Sequence, residues 1–208
     1  LGFYGLGDRM ATALAKSVEM NHELSHINMR DNCLTGVGSE SLATALENNS
    51  NIQAVDLQGN RIGRDGCTSL ARALSQGTCT LTKLCLRDNK LGGGAVKLLA
   101  EALANNSSLT FLDLSKNMVN DPGAVAIASV LTANNTLSNL ILSWNQIRGA
   151  SAGLLARSLA QNSGLQSLDL SWNGFGDSEG REFASLRTNT TLTYLDLSHN
   201  RLQAKTCI

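Results

Sequence analysis

One phrase recurs seven times along this 208-residue chain, and it limits the possible folds more than any other feature. The phrase reads L-x-x-L-x-L-x-x-N-x-L, with other apolar residues at some leucine positions, and it returns every 27 to 29 residues. Its asparagines are Asn32, Asn60, Asn89, Asn117, Asn145, Asn173 and Asn200. A near-constant period of this length is typical of solenoids, in which each unit buries its apolar face only against its neighbours.

Each repeat predicts a strand, then a turn, then a helix. Within the phrase, the alternating leucines predict a short strand whose leucines point inward. The expected strands are parallel and centred near residues 27, 55, 84, 112, 140, 168 and 195. Apolar residues then follow at three- and four-residue spacing, as in Leu99, Ala102 and Leu103, and this spacing predicts a helix after every strand except the last.

Two further features predict how these helices begin and pack. Asp121 followed by Pro122 predicts an N-cap with proline at the first helical position. Small residues on the inner side should let each helix lie close to its strand. These residues are Ala43, Ala71, Ala100, Ala128, Ala156 and Ala184.

The seven asparagines have a predicted structural role. After each strand the chain must turn, and a buried turn leaves backbone groups without partners. An amide side chain carries both an acceptor and donors, so it can bond its own turn and that of the neighbouring repeat. We therefore expect the asparagines to stack as a ladder. N-x-S/T sequons fall in another recurring turn, and turn chemistry explains them better than glycosylation does. They begin at Asn48, Asn105, Asn106, Asn134 and Asn189.

The repeated phrase resembles the leucine-rich-repeat family over essentially the whole chain. Helical units of about 28 residues are similar to the ribonuclease-inhibitor type, shared by ribonuclease inhibitor, the sensor ends of NOD-like receptors, the Ran GTPase activator and tropomodulin. The segments LSWN and NGFGD also resemble leucine-rich repeat containing 74 proteins. The resemblance implies an α/β horseshoe solenoid, with a parallel β-sheet on the concave face and α-helices on the convex face. It also favours a cytoplasmic location.

The repeats predict one domain over residues 1–208. A partial repeat occupies residues 1–23, and seven strand-turn phrases run from 24 to 202. Tyr4 stands where an earlier asparagine would belong, so the chain is expected to start inside a strand. Solenoids usually need polar capping segments, and neither end shows one, which favours a segment of a longer protein.

Composition and motifs argue against several classes of function. Lys+Arg and Asp+Glu are equal at 17 each, which favours neither nucleic acid nor an anionic membrane as a partner. The five cysteines form no C-x-x-C pair, which argues against a disulfide framework or a zinc site. No phosphate-binding loop or nucleophile elbow occurs. The sequence therefore predicts no cofactor, no metal and no enzymatic activity.

The outward positions of the strands form three columns, which we number in chain order. The first is His26, Ala54, Lys83, Phe111, Asn139, Ser167 and Tyr194. The second is Asn28, Asp56, Cys85, Asp113, Ile141, Asp169 and Asp196. The third is Arg30, Gln58, Arg87, Ser115, Ser143, Ser171 and Ser198, all expected on the open face. The aspartates of the second column are either an acidic stripe for a basic partner or a solvated repeat consensus.

Both tryptophans lie in the position before the asparagine, which we call the pre-asparagine slot. Along the chain this slot holds Asp31, Gly59, Asp88, Lys116, Trp144, Trp172 and His199. Two interpretations remain open: the rings stack and shield the turn, or they anchor a partner. The second interpretation predicts a partner-binding patch in the same half of the array. Its members are Phe111, Ile141, Trp144, Trp172 and Tyr194.

The sequence thus favours a non-enzymatic protein–protein interaction scaffold whose partner is another protein. The concave face and its rim would bind that partner. The family resemblance implies two alternatives: a GTPase-activating protein of the Ran-activator type, and the ligand-sensing end of an NOD-like receptor.

Overall fold

In the computed structural model, which describes residues 5–203, seven short parallel strands form one open sheet. They are β1 His26–Asn28, β2 Ala54–Asp56, β3 Lys83–Cys85, β4 Phe111–Asp113, β5 Asn139–Ile141, β6 Ser167–Asp169 and β7 Tyr194–Asp196. Their order in the sheet is their order in the chain. Equivalent residues of successive phrases pair directly, as Leu112 does with Leu140. The predicted centres of all seven strands are confirmed.

A helix precedes the first strand and another follows each strand up to the sixth. They are α1 Gly7–Glu19, α2 Gly36–Asn48, α3 Gly63–Ser75, α4 Gly93–Leu103, α5 Asp121–Leu131, α6 Gly149–Gln161 and α7 Asp177–Glu182. A 3₁₀ helix over Phe183–Thr188 continues from α7. Packed helices need about 8–10 Å each, whereas adjacent strands lie only about 4.8 Å apart. The solenoid therefore curves with the sheet on its concave face and the helices on its convex face.

The core lies between the sheet and the helix layer. Leu84 of β3 and Leu86 just after it point inward, and Leu99 meets this layer from α4; all three are fully buried. Five of the six predicted inner alanines are also buried. Ala184 is exposed because α7 ends early, and the narrower 3₁₀ turn that follows presents a different face to the core.

The start of α5 and the start of the chain differ from expectation or lie outside the described residues. Asn120 is the N-cap of α5, so Asp121 is the first helical residue and Pro122 the second; the predicted cap was one residue too late. The predicted asparagine counterpart at Tyr4, with the strand around it, lies outside the described residues, as does the chain after Gln203.

The seven asparagines bond successive turns to one another. Asn117 Oδ1 accepts hydrogen bonds from the backbone N–H groups of Asn89 and Leu91, both at 3.0 Å. Its Nδ2 donates to the carbonyls of Leu86 at 2.9 Å and Leu114 at 3.0 Å. Asn60 likewise accepts from two N–H groups of the preceding repeat. Each side chain thus replaces backbone partners that a buried turn cannot supply itself.

A second asparagine ladder follows the helices. Asn134 Nδ2 donates to the carbonyls of Leu103 at 2.7 Å and Asn106 at 3.0 Å in the preceding repeat, and its Oδ1 accepts from the N–H of Leu137. The ladder consists of Asn49, Asn106, Asn134, Asn162 and Asn189. The sequence interpretation placed asparagines in this turn without recognising that they link repeats.

Candidate functional site

The rings of Trp144, Trp172 and His199 stack on one another in sequence order, and we call this group the aromatic stack. The centroids of the two indoles are 4.0 Å apart with an interplanar angle of 11°. His199 lies 4.0 Å from Trp172 at 14°. At the other end, the ammonium of Lys116 lies 5.9 Å from the centroid of Trp144. Four consecutive members of the pre-asparagine slot are therefore in contact along the solenoid.

The backbone of this slot is left-handed in every repeat. The φ angles run from 51° at Lys116 to 70° at Gly59, and Trp144 and Trp172 have values of 57° and 54°. Glycine, asparagine and aspartate tolerate this conformation, whereas a bulky side chain at positive φ is uncommon. The first three repeats hold aspartate or glycine there, but the last four hold larger side chains. The local backbone therefore does not explain the tryptophans.

The stack leaves much of both indoles in solvent. Trp144 is 46% exposed and Trp172 is 41% exposed, although each covers a face of the other. Next to the indoles in sequence, the side chains of Asn145 and Asn173 each accept a hydrogen bond from a backbone N–H of the preceding repeat. The rings thus shield one another and still present their edges on the rim of the concave face.

The left-handed slot leads to a test of the backbone geometry. We expect the Trp144→Gly variant to be more stable than the Trp144→Ala variant by about 1 kcal/mol, because glycine adopts positive φ without the strain that the Cβ of alanine introduces. Both variants lose the same ring, so the comparison isolates the backbone. Urea unfolding followed by far-UV circular dichroism measures the difference. An alanine variant that equals or exceeds the glycine variant would contradict the assigned conformation.

The structure does not gather every predicted patch residue into one cluster. Phe111 is half-buried with the Lys83 ammonium 4.8 Å from its ring centroid. Tyr194 belongs to the same column but lies three strands away, about 14 Å at the usual strand spacing. Ile141 lies between Asp113 and Asp169 in the second column. His199, which the predicted patch omitted, joins the tryptophans because it occupies the same slot.

The aspartates of the second column hold the ends of their own strands. In each case Oδ1 accepts the backbone N–H of the residue two positions later, as Asp113 does from Ser115 at 2.8 Å and Asp196 from Ser198 at 2.8 Å. The Ser198 hydrogen bonds lower the pKa of Asp196, which keeps this carboxyl ionised. Cys85 and Ile141 interrupt this pattern. Burial raises the pKa of the Cys85 thiol to about 11, so it is protonated at neutral pH.

The third column is less open than predicted. Ser115 is fully buried, and Ser143 and Ser171 are buried as well. The Arg87 guanidinium donates to Ser115 Oγ at 2.9 Å. A serine side chain is too short to emerge between larger neighbours as the chain enters its turn. The expectation that Ser115 lies on the open face is therefore wrong.

The groups at this site are ring edges, carboxylates and an ammonium, which are suited to noncovalent contacts. No group of His, Cys, Asp and Glu within residues 5–203 is placed to hold a metal ion. In the same range, none of the helices has the length and apolar character needed to cross a membrane.

Comparison with known proteins bears on the repeats and on the fold. A family profile described as Leucine Rich repeat matches residues 48–71, 105–128, 133–156, 161–182 and 188–205, more than half of the chain. A search of curated proteins finds no match. Among solved structures, 142 chains match.

Two of these structures are similar to this chain over most of its length. The first is Leiomodin-1 Actin-Binding Site 2, with a TM-score of 0.54 and 19% identity over 86% of this chain and 87% of that chain. The second is internalin C2 of Listeria monocytogenes str. 4b F2365, with a TM-score of 0.60 and 21% identity over 89% of this chain and 66% of that chain. At these identities the likeness shows the fold alone.

Proposed function

The chain belongs to the leucine-rich-repeat family, and on that premise we propose that it is a protein-interaction scaffold that presents its concave face and rim to another protein. The family is typically a non-enzymatic binding scaffold. The proposal extends to the ribonuclease-inhibitor type, since α1 to α6 each contain 11 to 13 residues within repeats of about 28 residues. It also treats residues 1–208 as one domain.

The exposed aromatic stack is the observation that carries this proposal. The core is already filled by the inward aliphatic residues, so the scaffold does not need two half-exposed indoles on its rim. Both indoles also occupy a backbone conformation that smaller residues fit better. Tryptophan is enriched among the residues that dominate binding energy at protein interfaces. The stack is therefore the proposed anchor, with Tyr194 and Ile141 on the adjoining sheet face.

Two partner classes are worth testing first. Leiomodin-1 Actin-Binding Site 2 is described as binding actin, and its fold covers most of this chain. The second partner class is the small GTPases, because the repeats resemble those of the Ran GTPase activator. For these partners, the rate of GTP hydrolysis can be measured as well as binding. A sensing role of the NOD-like receptor kind would use the same concave surface.

The test compares the two halves of the concave face, which we define as β1 to β3 for the first half and β4 to β7 for the second. A partner is recovered with the wild-type chain and purified, and its affinity is then measured for two folded double variants. We expect Trp144→Gly with Trp172→Gly to weaken binding by about 2 kcal/mol, roughly thirty-fold in Kd, because a buried interface aromatic commonly contributes that much. Arg30→Ala with Arg87→Ala should change the affinity little.

Glycine is chosen because it suits the left-handed slot and limits any loss of stability. Normal binding by the tryptophan pair, with loss of binding by the arginine pair, would place the interface in the first half of the array. Unfolding of the tryptophan pair would assign the indoles to the scaffold instead.

A further inference from the structure

The two halves of the concave face differ in how their carboxylates are neutralised. In the first half, Asp56 has a cationic partner, since Arg30 Nε lies 3.7 Å from its Oδ2. In the second half, the ion pairs formed within residues 5–203 include none with Asp113, Asp169 or Asp196. The physical reason lies in the third column, where the first half has arginines and the second half has only serines.

Each of these second-half carboxylates bonds only to the serine two positions later in its own repeat. Asp169 Oδ1 accepts the backbone N–H of Ser171 at 2.9 Å and its hydroxyl at 2.6 Å. Asp196 Oδ1 accepts the N–H of Ser198. Beyond these serines, no residue of the described part of the chain donates to either carboxylate, and both side chains are only half-buried. The sheet face here therefore carries ionised groups whose hydrogen-bonding capacity is partly unused.

These carboxylates lie beside the aromatic stack. Asp169 and Asp196 are paired neighbours on β6 and β7, so their Cα atoms are about 4.8 Å apart. Trp172 follows Asp169 by three positions, and His199 follows Asp196 by three positions. Asp196 is close enough to His199 for the charge of the imidazole to lower its pKa, a smaller effect than its hydrogen bonds. At the opposite end, Lys116 already lies over a face of Trp144.

We infer that Asp169, Asp196 and the aromatic stack together form a site for an extended, arginine-bearing basic segment of the partner protein. The inference rests on the proposed interaction function and adds the chemistry of the partner. A guanidinium is planar, stacks on aromatic rings and donates in parallel to carboxylate oxygens. Two carboxylates on adjacent strands fit one such group, and regular strand spacing suits a segment that crosses the sheet in an extended form.

Charge complementarity decides between occupants. Across β4 to β7, the outward columns and the pre-asparagine slot contain three aspartates and one lysine as fixed charges. An acidic segment or a nucleic-acid phosphate would meet net repulsion at this surface. A lysine-bearing segment would gain attraction but not the planar stacking or bidentate donation that arginine offers.

The experiment uses three matched synthetic peptides in which serine alternates with arginine, lysine or glutamate. Binding to the full chain is followed by fluorescence anisotropy and by the emission of the two tryptophans. We expect the arginine peptide to bind most tightly, the lysine peptide more weakly, and the glutamate peptide not at all. Asp169→Asn with Asp196→Asn should raise the Kd of the arginine peptide by about tenfold, while each amide oxygen still accepts its turn hydrogen bond.

The matched control removes two charges from the first half, through Asp56→Asn and Asp88→Asn, and should leave that Kd within about twofold. Equal binding of the arginine and lysine peptides, or equal effects of the two asparagine pairs, would overturn the inference. The purified partner separates this failure from a failure of the proposed function. If the tryptophan double variant weakens binding of this partner and the Asp169 and Asp196 double variant does not, the proposed interaction function is supported and the proposed arginine site is wrong.

Discussion

Replacing Phe175 with alanine is expected to lower the free energy of unfolding by about 4 kcal/mol, the largest effect we predict for a single residue. Phe175 is fully buried, and its ring centroid lies 5.9 Å from that of Phe183. The other phrases place Leu, Ile or Val at this position. Helix α7 is only six residues long and contributes no buried side chain, so the larger ring supplies packing that the helix does not. Alanine would leave a cavity that the solenoid could close only in part.

Urea unfolding followed by circular dichroism and tryptophan emission measures this loss. Val125→Ala on α5 is the control, because Val125 is 44% exposed and its truncation should change stability by no more than about 0.5 kcal/mol. Phe175→Leu restores the aliphatic residue typical of the other repeats and should be less destabilising than alanine. Similar losses for Phe175→Ala and Val125→Ala would show that this core position is not packed as described.

Replacing Asn117 with alanine should lower the free energy of unfolding by about 3 kcal/mol. The substitution deprives the N–H groups of Asn89 and Leu91 of their common acceptor. It also removes the Nδ2 donor from the carbonyls of Leu86 and Leu114. A buried donor left without a partner costs about 1–3 kcal/mol, and the sites are too enclosed for water to replace every bond.

The matched control is Asn105→Ala. Asn105 is exposed, and its side chain forms no hydrogen bond with the described part of the chain, so its loss should cost little. Asn117→Asp tests the donor separately, since the carboxylate keeps the acceptor but cannot donate to the two carbonyls. Equal urea midpoints for Asn117→Ala and Asn105→Ala would show that the asparagine ladder does not contribute measurably to stability.

The geometry of the aromatic stack agrees in part with each interpretation of the tryptophans, as a shield for the turn and as an anchor for a partner. Trp144 and Trp172 do stack, as the shielding interpretation expects, yet both stay half-exposed, as the anchor interpretation requires. The glycine variants distinguish these interpretations because they remove the rings without straining the turn. A stable variant that loses its partner would identify the indoles as anchors.

Local periodicity was enough to locate the strands, the helices and the asparagine turns. Each of these features depends on residues within one repeat, and seven copies of the phrase average out the errors of any single copy. One error arose where a single repeat departs from the others, because Ala184 follows a helix that ends early without any change in the repeat period. The N-cap of α5 was misplaced for another reason. It lies at Asn120, three residues after the ladder asparagine as in most repeats, and the Asp121-Pro122 pair suggested the next residue instead.

The properties of the candidate site depend instead on contacts between repeats. The sequence places Trp172, His199 and Asp196 in defined columns, but the 4.0 Å stacking distances and the unpaired carboxylates depend on how far each side chain reaches toward the next repeat. The burial of Ser115 under Arg87 is another such contact, and the alternation of the strand predicted the opposite. Spacing along the chain specifies which residues become neighbours, whereas side-chain size and the left-handed turn determine which of those neighbours are covered and which remain free to bind.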